Sequence, residues 1–466
     1  MNWPDPRFVQ RARAAAMAVP SSRDRVIDAV RGGSLVVVVI GHSAMLIVAW
    51  PASGPVVVGN LIATVPGLAV LTWVFQVIPL FFVAGGAASV HSWRAVPDVP
   101  GRYAAWLWSR LRRLYRPVLV YLAVMGLVAV VCTLTLGPAT FAFLAIACQM
   151  LWFLGIYVLT TMLVPVMSVI PRRLAWLPFA AGVIVVSAID IGVQVGVIPS
   201  VIALVDFLVV WLVVQQLGFV WDVASGSARW LLCSVGCLAI AILLVALGPW
   251  PVSLVGIPGE RLSNMAPPSI VLLLYGLGTG CLLLWLRPRL ASWLRRPRPW
   301  AIAALISSSS MTIYLWHVPA IGVSLLALRA VGLPPPTTVG PAGAPVPVGA
   351  LGYLLWWLGY LLLTLVVLAV LIPPLSGLDR RRVAWWDAPV RPRVSAMRTA
   401  LVTVAGVLIA SGTLVLSIVG LAGFPTLVVS WNGLPLNSAV AVAVVVAGLV
   451  VARASVRPSG SDERIG

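Results

Sequence analysis

The chain has 466 residues, of which 61% are hydrophobic and only 9% charged, with a mean hydropathy of +1.06. A soluble domain carries about a quarter of its residues as charges, so these values exclude a soluble fold and specify a polytopic membrane protein. The net charge of +19 is not a nucleic-acid signal, because the arginines stand in short blocks between apolar runs, the pattern that sets membrane topology and attracts anionic lipid.

In chain order, apolar runs of spanning length predict membrane helices at 33–51, 67–90, 117–136, 142–169, 175–193, 200–217, 231–250, 269–286, 301–331, 351–372, 399–421 and 437–453. About thirty polar and basic residues precede the first run, so no cleaved signal peptide is expected and that run acts as an anchor. An even number of spans puts both termini on one side. All arginines except Arg261 and Arg329 fall in the segments of that side, which is therefore expected to be cytoplasmic. The opposite loops are rich in Gly and Pro. Two of them, 251–268 and 332–349, are long enough to fold over a site; the second reads as an extended lid or a flexible connector. The expected organisation is a basic arm (1–32), a ten-helix core (33–375), an Arg-rich connector (376–398), an appended two-helix hairpin (399–453) and a tail (454–466). The fold class is thus all-α, with about twelve transmembrane helices.

Within this frame few residues carry chemistry. His42 lies in the first apolar run, eleven residues after Arg31 and with Asp28 one turn before the arginine. Eleven steps of about 100° bring Arg31 and His42 onto one helix face, separated by roughly 16 Å, so an arginine at the surface places the histidine near the midplane. Such a residue is either a catalytic group or a neutral histidine hydrogen-bonded between helices. In SSSSMTIYLWHVPA, Ser310, Tyr314 and His317 form a polar stripe, read as a second catalytic element or as a hydrogen-bonded helix seam. His91 is interfacial. In WSRLRRLYRP, Arg110, Arg113 and Arg116 are three apart and make one cationic strip. It suits a polyanionic ligand bound through bidentate contacts, or it anchors the helix alone. Asp206, with Asp190, is an acidic residue in an apolar span and calls for a histidine or arginine partner; it is a candidate to orient His42 or His317, or to bind substrate. Glu260, Arg261 and Asn264 form the outward polar cluster. The five cysteines, Cys132, Cys148, Cys233, Cys237 and Cys281, all lie in apolar runs without metal spacing and read as packing residues. There is no phosphate-binding Gly-rich loop, no nucleophile elbow and no HExxH.

The opening RVIDAVRGGSLVVVVIGH resembles the first helix of membrane-bound acyltransferase family 3, whose signature is an arginine followed eleven residues later by a histidine. Phe81-Phe82 before a Gly-rich turn, RLRRLYRP, LWFLGIYVLTTMLVP and SSSSMTIYLWHVP are similar to its later landmarks. QQLGFVWD and SNMAPPS resemble an actinobacterial-type subset. The chain departs from the family pattern at Ala84-Gly85-Gly86, where Ser-Gly is usual, and at Arg116, which interrupts Leu-Tyr-Pro.

The resemblance implies transfer of an acyl group, commonly acetyl from acetyl-CoA, to a hydroxyl of a cell-envelope sugar, glycoconjugate or lipid. His42 and Arg31 would then be catalytic, with His317 and Tyr314 beside them. Arg110, Arg113 and Arg116 would hold the acyl-CoA donor, and Glu260, Asn264 and Asp206 the acceptor. No permanently bound cofactor, no metal and no nucleic acid are expected, and the location is the plasma membrane with cytoplasmic termini. A cavity through the core is expected, open to the donor on the arginine side and to the acceptor beneath 251–268, with Tyr314 and His317 on its wall. The alternative reading is a proton-coupled transporter or flippase of a glycolipid.

Overall fold

The computed structural model describes residues 24–51, 56–136, 142–223, 226–257, 260, 262–391 and 394–457; Arg7, Arg11, Arg13, Arg23, Arg261, Arg393 and Arg464 lie outside them. Among the described residues, 12 helical stretches are long and apolar enough to cross a membrane. The protein is an all-α, multi-pass membrane protein whose strands form three small antiparallel hairpins.

Helix α1 (Arg25–Met45) runs into strand β1 (Leu46–Ala49), which pairs with β2 (Val57–Asn60). There follow α2 (Ile78–Arg94), α3 (Arg102–Leu136), α4 (Ala142–Gln149), α5 (Leu151–Met162), α6 (Leu177–Gln194) and α7 (Asp206–Gln216). Next come α8 (Ala228–Leu247), α9 (Ile270–Trp293), α10 (Pro297–Ser308) and α11 (Ser310–Ala330), then the hairpin β3 (Thr337–Val339) and β4 (Pro345–Pro347). The chain continues through α12 (Ala350–Arg380), the short α13 (Ala384–Asp387), α14 (Ala396–Val419), the hairpin β5 (Val428–Trp431) and β6 (Leu434–Asn437), and α15 (Ser438–Val456).

Several boundaries differ from those the apolar runs predict. The first helix begins at Arg25, because the Asp24 carboxylate caps the amides of Val26 and Ile27 at 2.8 and 3.3 Å. It ends at Met45, where the β-prone Leu46–Ala49 leaves as a strand, so His42 stands in the last turn and not mid-helix. The predicted span 301–331 breaks at Ser309, whose backbone (φ −116°, ψ 12°) leaves the helical region. The serine run is thus a helix joint, as its weak helix propensity allows. The fourth span likewise breaks at Met150, between α4 and α5.

The chain forms two compact units. The first comprises Met1–Val90, Met167–Ser310 and Ser324–Leu365. In it the N-cap of α1 is clasped from a distance: Trp221 Nε1 donates to Asp24 at 2.7 Å, and Arg287, over the Trp221 ring, reaches the same oxygen at 3.5 Å. Phe82 stacks on Trp211 with ring centres 4.7 Å apart. A Cβ at Gly86 would stand 2.3 Å from the Gln215 carbonyl oxygen. The Phe pair and the glycine after it therefore serve close packing of α2 on α7, which Ala84 does not disturb.

The second unit comprises His91–Val166, Met311–Val323 and Val366–Gly466. Here α3 carries the arginine block as continuous helix through Pro117, starting one full block earlier than the apolar run predicts. The last two spans, expected as an appendage, are built into this unit. A Cβ at Gly155 of α5 would meet Leu414 of α14 at 2.7 Å, and Tyr115 of α3 shares a 2.8 Å hydrogen bond with Thr413. Helix α15 lies against α14 at Gly448 and Ile409 in the same close fashion.

Candidate active site

Helix α1 presents Arg31 and His42, both half-buried, on one face of an unbroken rod. Its base is fixed. Buried Asp28 accepts from Ser307 at 3.2 Å, and Arg25 donates to the Leu294 carbonyl at 3.1 Å while lying 5.0 Å over Trp300. The helix packs on α10 at Gly32, where a Cβ would stand 3.2 Å from Ile306.

Beyond His42, β1 and β2 are covered by the segment expected as a lid or flexible connector. That segment is an ordered hairpin. Thr337 donates to the Val48 carbonyl at 2.7 Å, and Gly59 comes so close to Pro345 that a Cβ would stand 2.7 Å from the ring. Arg329, at the end of α11, stacks over Trp50 at 5.8 Å.

The loop 251–268 is folded by Asn264 itself. Its amide nitrogen donates to the carbonyls of Pro251 (2.6 Å) and Ser253 (2.9 Å), and its oxygen accepts from Ser269 (2.6 Å). With Asn264 buried and its donors spent, the structure gives it a folding task in place of the expected contact with acceptor. Glu260 is exposed; Arg261 lies outside the described residues. Gln76 and Trp73 tie the same loop down through the carbonyls of Leu254 and Val252, each at 2.8 Å.

Asp206 is fully buried at the start of α7, and neither carboxylate oxygen has a hydrogen-bond partner among the described residues. The expected histidine or arginine partner is not found among the described residues. Gly182 of α6 abuts Val213 of α7, and counting outward from that contact brings Asp190 level with Asp206. Asp190 is engaged, accepting from the Ile270 amide (2.7 Å) and Trp250 (3.3 Å) at the N-terminus of α9.

Tyr314, His317 and the arginine block belong to the second unit. His317 is fully buried, with Nδ1 2.7 Å from the Tyr314 carbonyl and 3.2 Å from that of Ile313. Carbonyls only accept, so Nδ1 carries a proton and donates it back to the helix. The Tyr314 hydroxyl donates at 2.5 Å to the carbonyl of Met150, at the break between α4 and α5, a carbonyl that also accepts from the Phe153 amide at 3.2 Å. It is a staple, and its proton is committed.

The arginines of α3 do not act as one open strip. Arg110 bonds to Ser92 and lies 5.8 Å over Trp106. Arg116 pairs with Asp387 at 2.5 Å and reaches the Asp379 carbonyl at 3.4 Å, and Arg112 stands 3.9 Å from Asp387. Arg113 is exposed. Asp387 thus stands against Arg112 and Arg116 at one end of the block. Sequence reasoning missed Asp387; its pairing spans 271 residues, and its only local signal is an acidic residue among arginines.

Partial desolvation works against ionisation of Asp387, but the Val383 amide and the Arg116 and Arg112 guanidinium groups outweigh it, so the carboxyl titrates below its ordinary value. A depressed folded-state pKa lends stability that is complete above the unfolded value of about 3.9 and lost as pH falls through the folded one. The Tm difference between wild type and Asp387→Asn should therefore hold steady from neutral pH to about 5 and shrink only below about 4. A difference that vanished near neutrality would assign the effect to another group.

Compared with known proteins, the chain matches, over residues 24–373, the family model described as an acyltransferase domain. The matched stretch contains Arg31, His42, the arginine block, Tyr314 and His317, and it ends before α13, α14 and α15. No curated protein and no solved structure matches the chain.

Proposed function

Because the chain belongs to membrane-bound acyltransferase family 3 and is a multi-pass membrane acyltransferase, we propose that it moves an acyl group, acetyl in the first instance, from cytoplasmic acyl-CoA to a hydroxyl of a cell-envelope sugar, glycoconjugate or lipid. The observation that carries this reading is the unbroken helix α1 inside the matched stretch, holding Arg31 and His42 on one face. At about 1.5 Å per residue the two side chains leave the helix roughly 16 Å apart, beyond the reach of a common atom. They act on different parts of one long donor, the arginine on its charged portion and the histidine at the thioester.

His42 Nε2 or Nδ1 takes the proton of the acceptor hydroxyl as its oxygen attacks the thioester carbonyl. The new C–O bond forms, the C–S bond breaks, and the imidazolium returns the proton to the departing thiolate. Arg110 and Arg113 bind donor phosphates, a task for which the planar guanidinium is suited. Asp206 and Glu260 remain candidates for acceptor hydroxyls. The enzyme resides in the plasma membrane with both termini cytoplasmic, the side to which its arginines point.

The purified protein in detergent, given acetyl-CoA and an envelope extract, should release free CoA thiol and acylate a component of the extract without any membrane gradient. Absence of thiol release by folded protein, with gradient-driven movement of a glycolipid in vesicles, would transfer the assignment to the flippase reading. Mass comparison of envelope glycans and lipids with and without the gene identifies the acceptor.

A further inference from the structure

The family match ends at residue 373, yet the residues beyond it reach back to the arginine block. Arg453, in the last turn of α15, is fully buried. Its Nε donates to the Trp385 carbonyl at 2.7 Å, Nη2 to Ala388 at 3.1 Å and Nη1 to Pro389 at 3.4 Å. These carbonyls lie within and just after the short helix α13, which is thereby held from its C-terminal end. From α13 two side chains return to α3: Trp386 meets Trp108 edge-on with centres 5.1 Å apart, and Asp387 pairs with Arg116 and Arg112. Asp387 is itself anchored, accepting from the Val383 amide at 2.9 Å. Arg453 completes the circuit, lying 5.9 Å over Trp108. A buried guanidinium satisfied by carbonyls alone is a costly way to fill space, and it is better understood as fixing geometry than as adding stability.

We infer that Arg453 is a positioning residue for the acyl donor: through α13 and Asp387 it holds Arg112 and Arg116 against α3 before the donor arrives, so that Arg110 and Arg113 face the phosphates in a fixed array. The inference rests on the reading of the block as the donor site. Arginines ordered in advance need not be ordered on binding, so the gain appears in donor affinity and not in the chemical step.

The test compares Arg453→Gln, Arg453→Lys, Asp387→Asn and Arg113→Ala in full-length protein, each checked for folding by Tm in detergent. Arg453→Gln should raise the donor KM about tenfold, the size expected when about two long side chains must be ordered during binding, with kcat at saturating donor unchanged. Arg453→Lys should fare no better, because lysine lacks the three-way fork. Full rescue by lysine would show that charge alone matters and overturn the inference. Asp387→Asn leaves the contacts of Arg453 in place and should shift KM in the same direction; it decides the matter if the Arg453 variants fail to fold. An unchanged KM in folded Arg453→Gln, or in Asp387→Asn where that variant decides, alongside a raised KM in Arg113→Ala, overturns the inference alone. An unchanged KM in Arg113→Ala removes the donor-site reading, and the inference with it.

Discussion

Replacement of His42 by alanine should lower the rate of acyl transfer by about 10²–10⁴-fold, the loss expected when a general base is removed. The fold should survive. The main-chain bond that closes α1, from the Leu46 amide to the His42 carbonyl, does not involve the side chain, and alanine is the best helix former. The measurement is kcat in protein whose Tm matches wild type, and near-normal turnover would remove His42 from the mechanism. His317→Ala offers a useful contrast. That ring is fully buried and bonded to its own helix, so its loss should lower stability as well as rate.

The second large effect falls on the donor. Arg110→Ala combined with Arg113→Ala should weaken CoA binding at least about tenfold while leaving the apparent affinity for acceptor unchanged. A hydrogen bond to a charged group contributes about 1.5–3 kcal/mol, of which solvent around the exposed Arg113 removes part, and 1.4 kcal/mol is a factor of ten. The difference between wild type and double variant should narrow as salt is raised, because exposed charges are screened. An equal dissociation constant in titrations of CoA would leave these arginines a topological role only.

The number of spans was legible because a membrane helix must satisfy its backbone internally and show lipid an apolar surface, which marks the sequence at every turn. What escaped were places where local and distant demands compete. Leu46–Ala49 is apolar enough to prolong a helix and β-prone enough to leave it, and its pairing with Val57–Asn60 decides. The Ser307–Ser310 run reads as a polar patch within a span, while in the structure it is a joint whose Ser307 serves Asp28. One signal was open to reading: Asn432-Gly433 between apolar pairs supports the β5–β6 turn, with both residues at positive φ, 49° and 80°. The arginine block was visible as charge, but its partner Asp387 and the buried Arg453 belong to segments that composition alone marks as connector and appendage. Long-range ion pairs leave no periodicity to find. Asp206 shows the opposite failure, since a buried carboxylate predicts a partner by general physics and finds none among the described residues.

The grip of Arg453 on the Asp387 segment also orders events during synthesis. The carbonyl of Trp385 leaves the ribosome 68 residues before the side chain that holds it, and Arg116 waits 271 residues for Asp387. Every residue of the family-matched stretch is therefore translated, and its helices available for insertion, while α13 still lacks its holder. The contacts of Arg453 with the Asp387 segment can form only when α15, the last helix described, has been made. A nascent chain interrupted before that point carries all of the landmark residues and none of this closure.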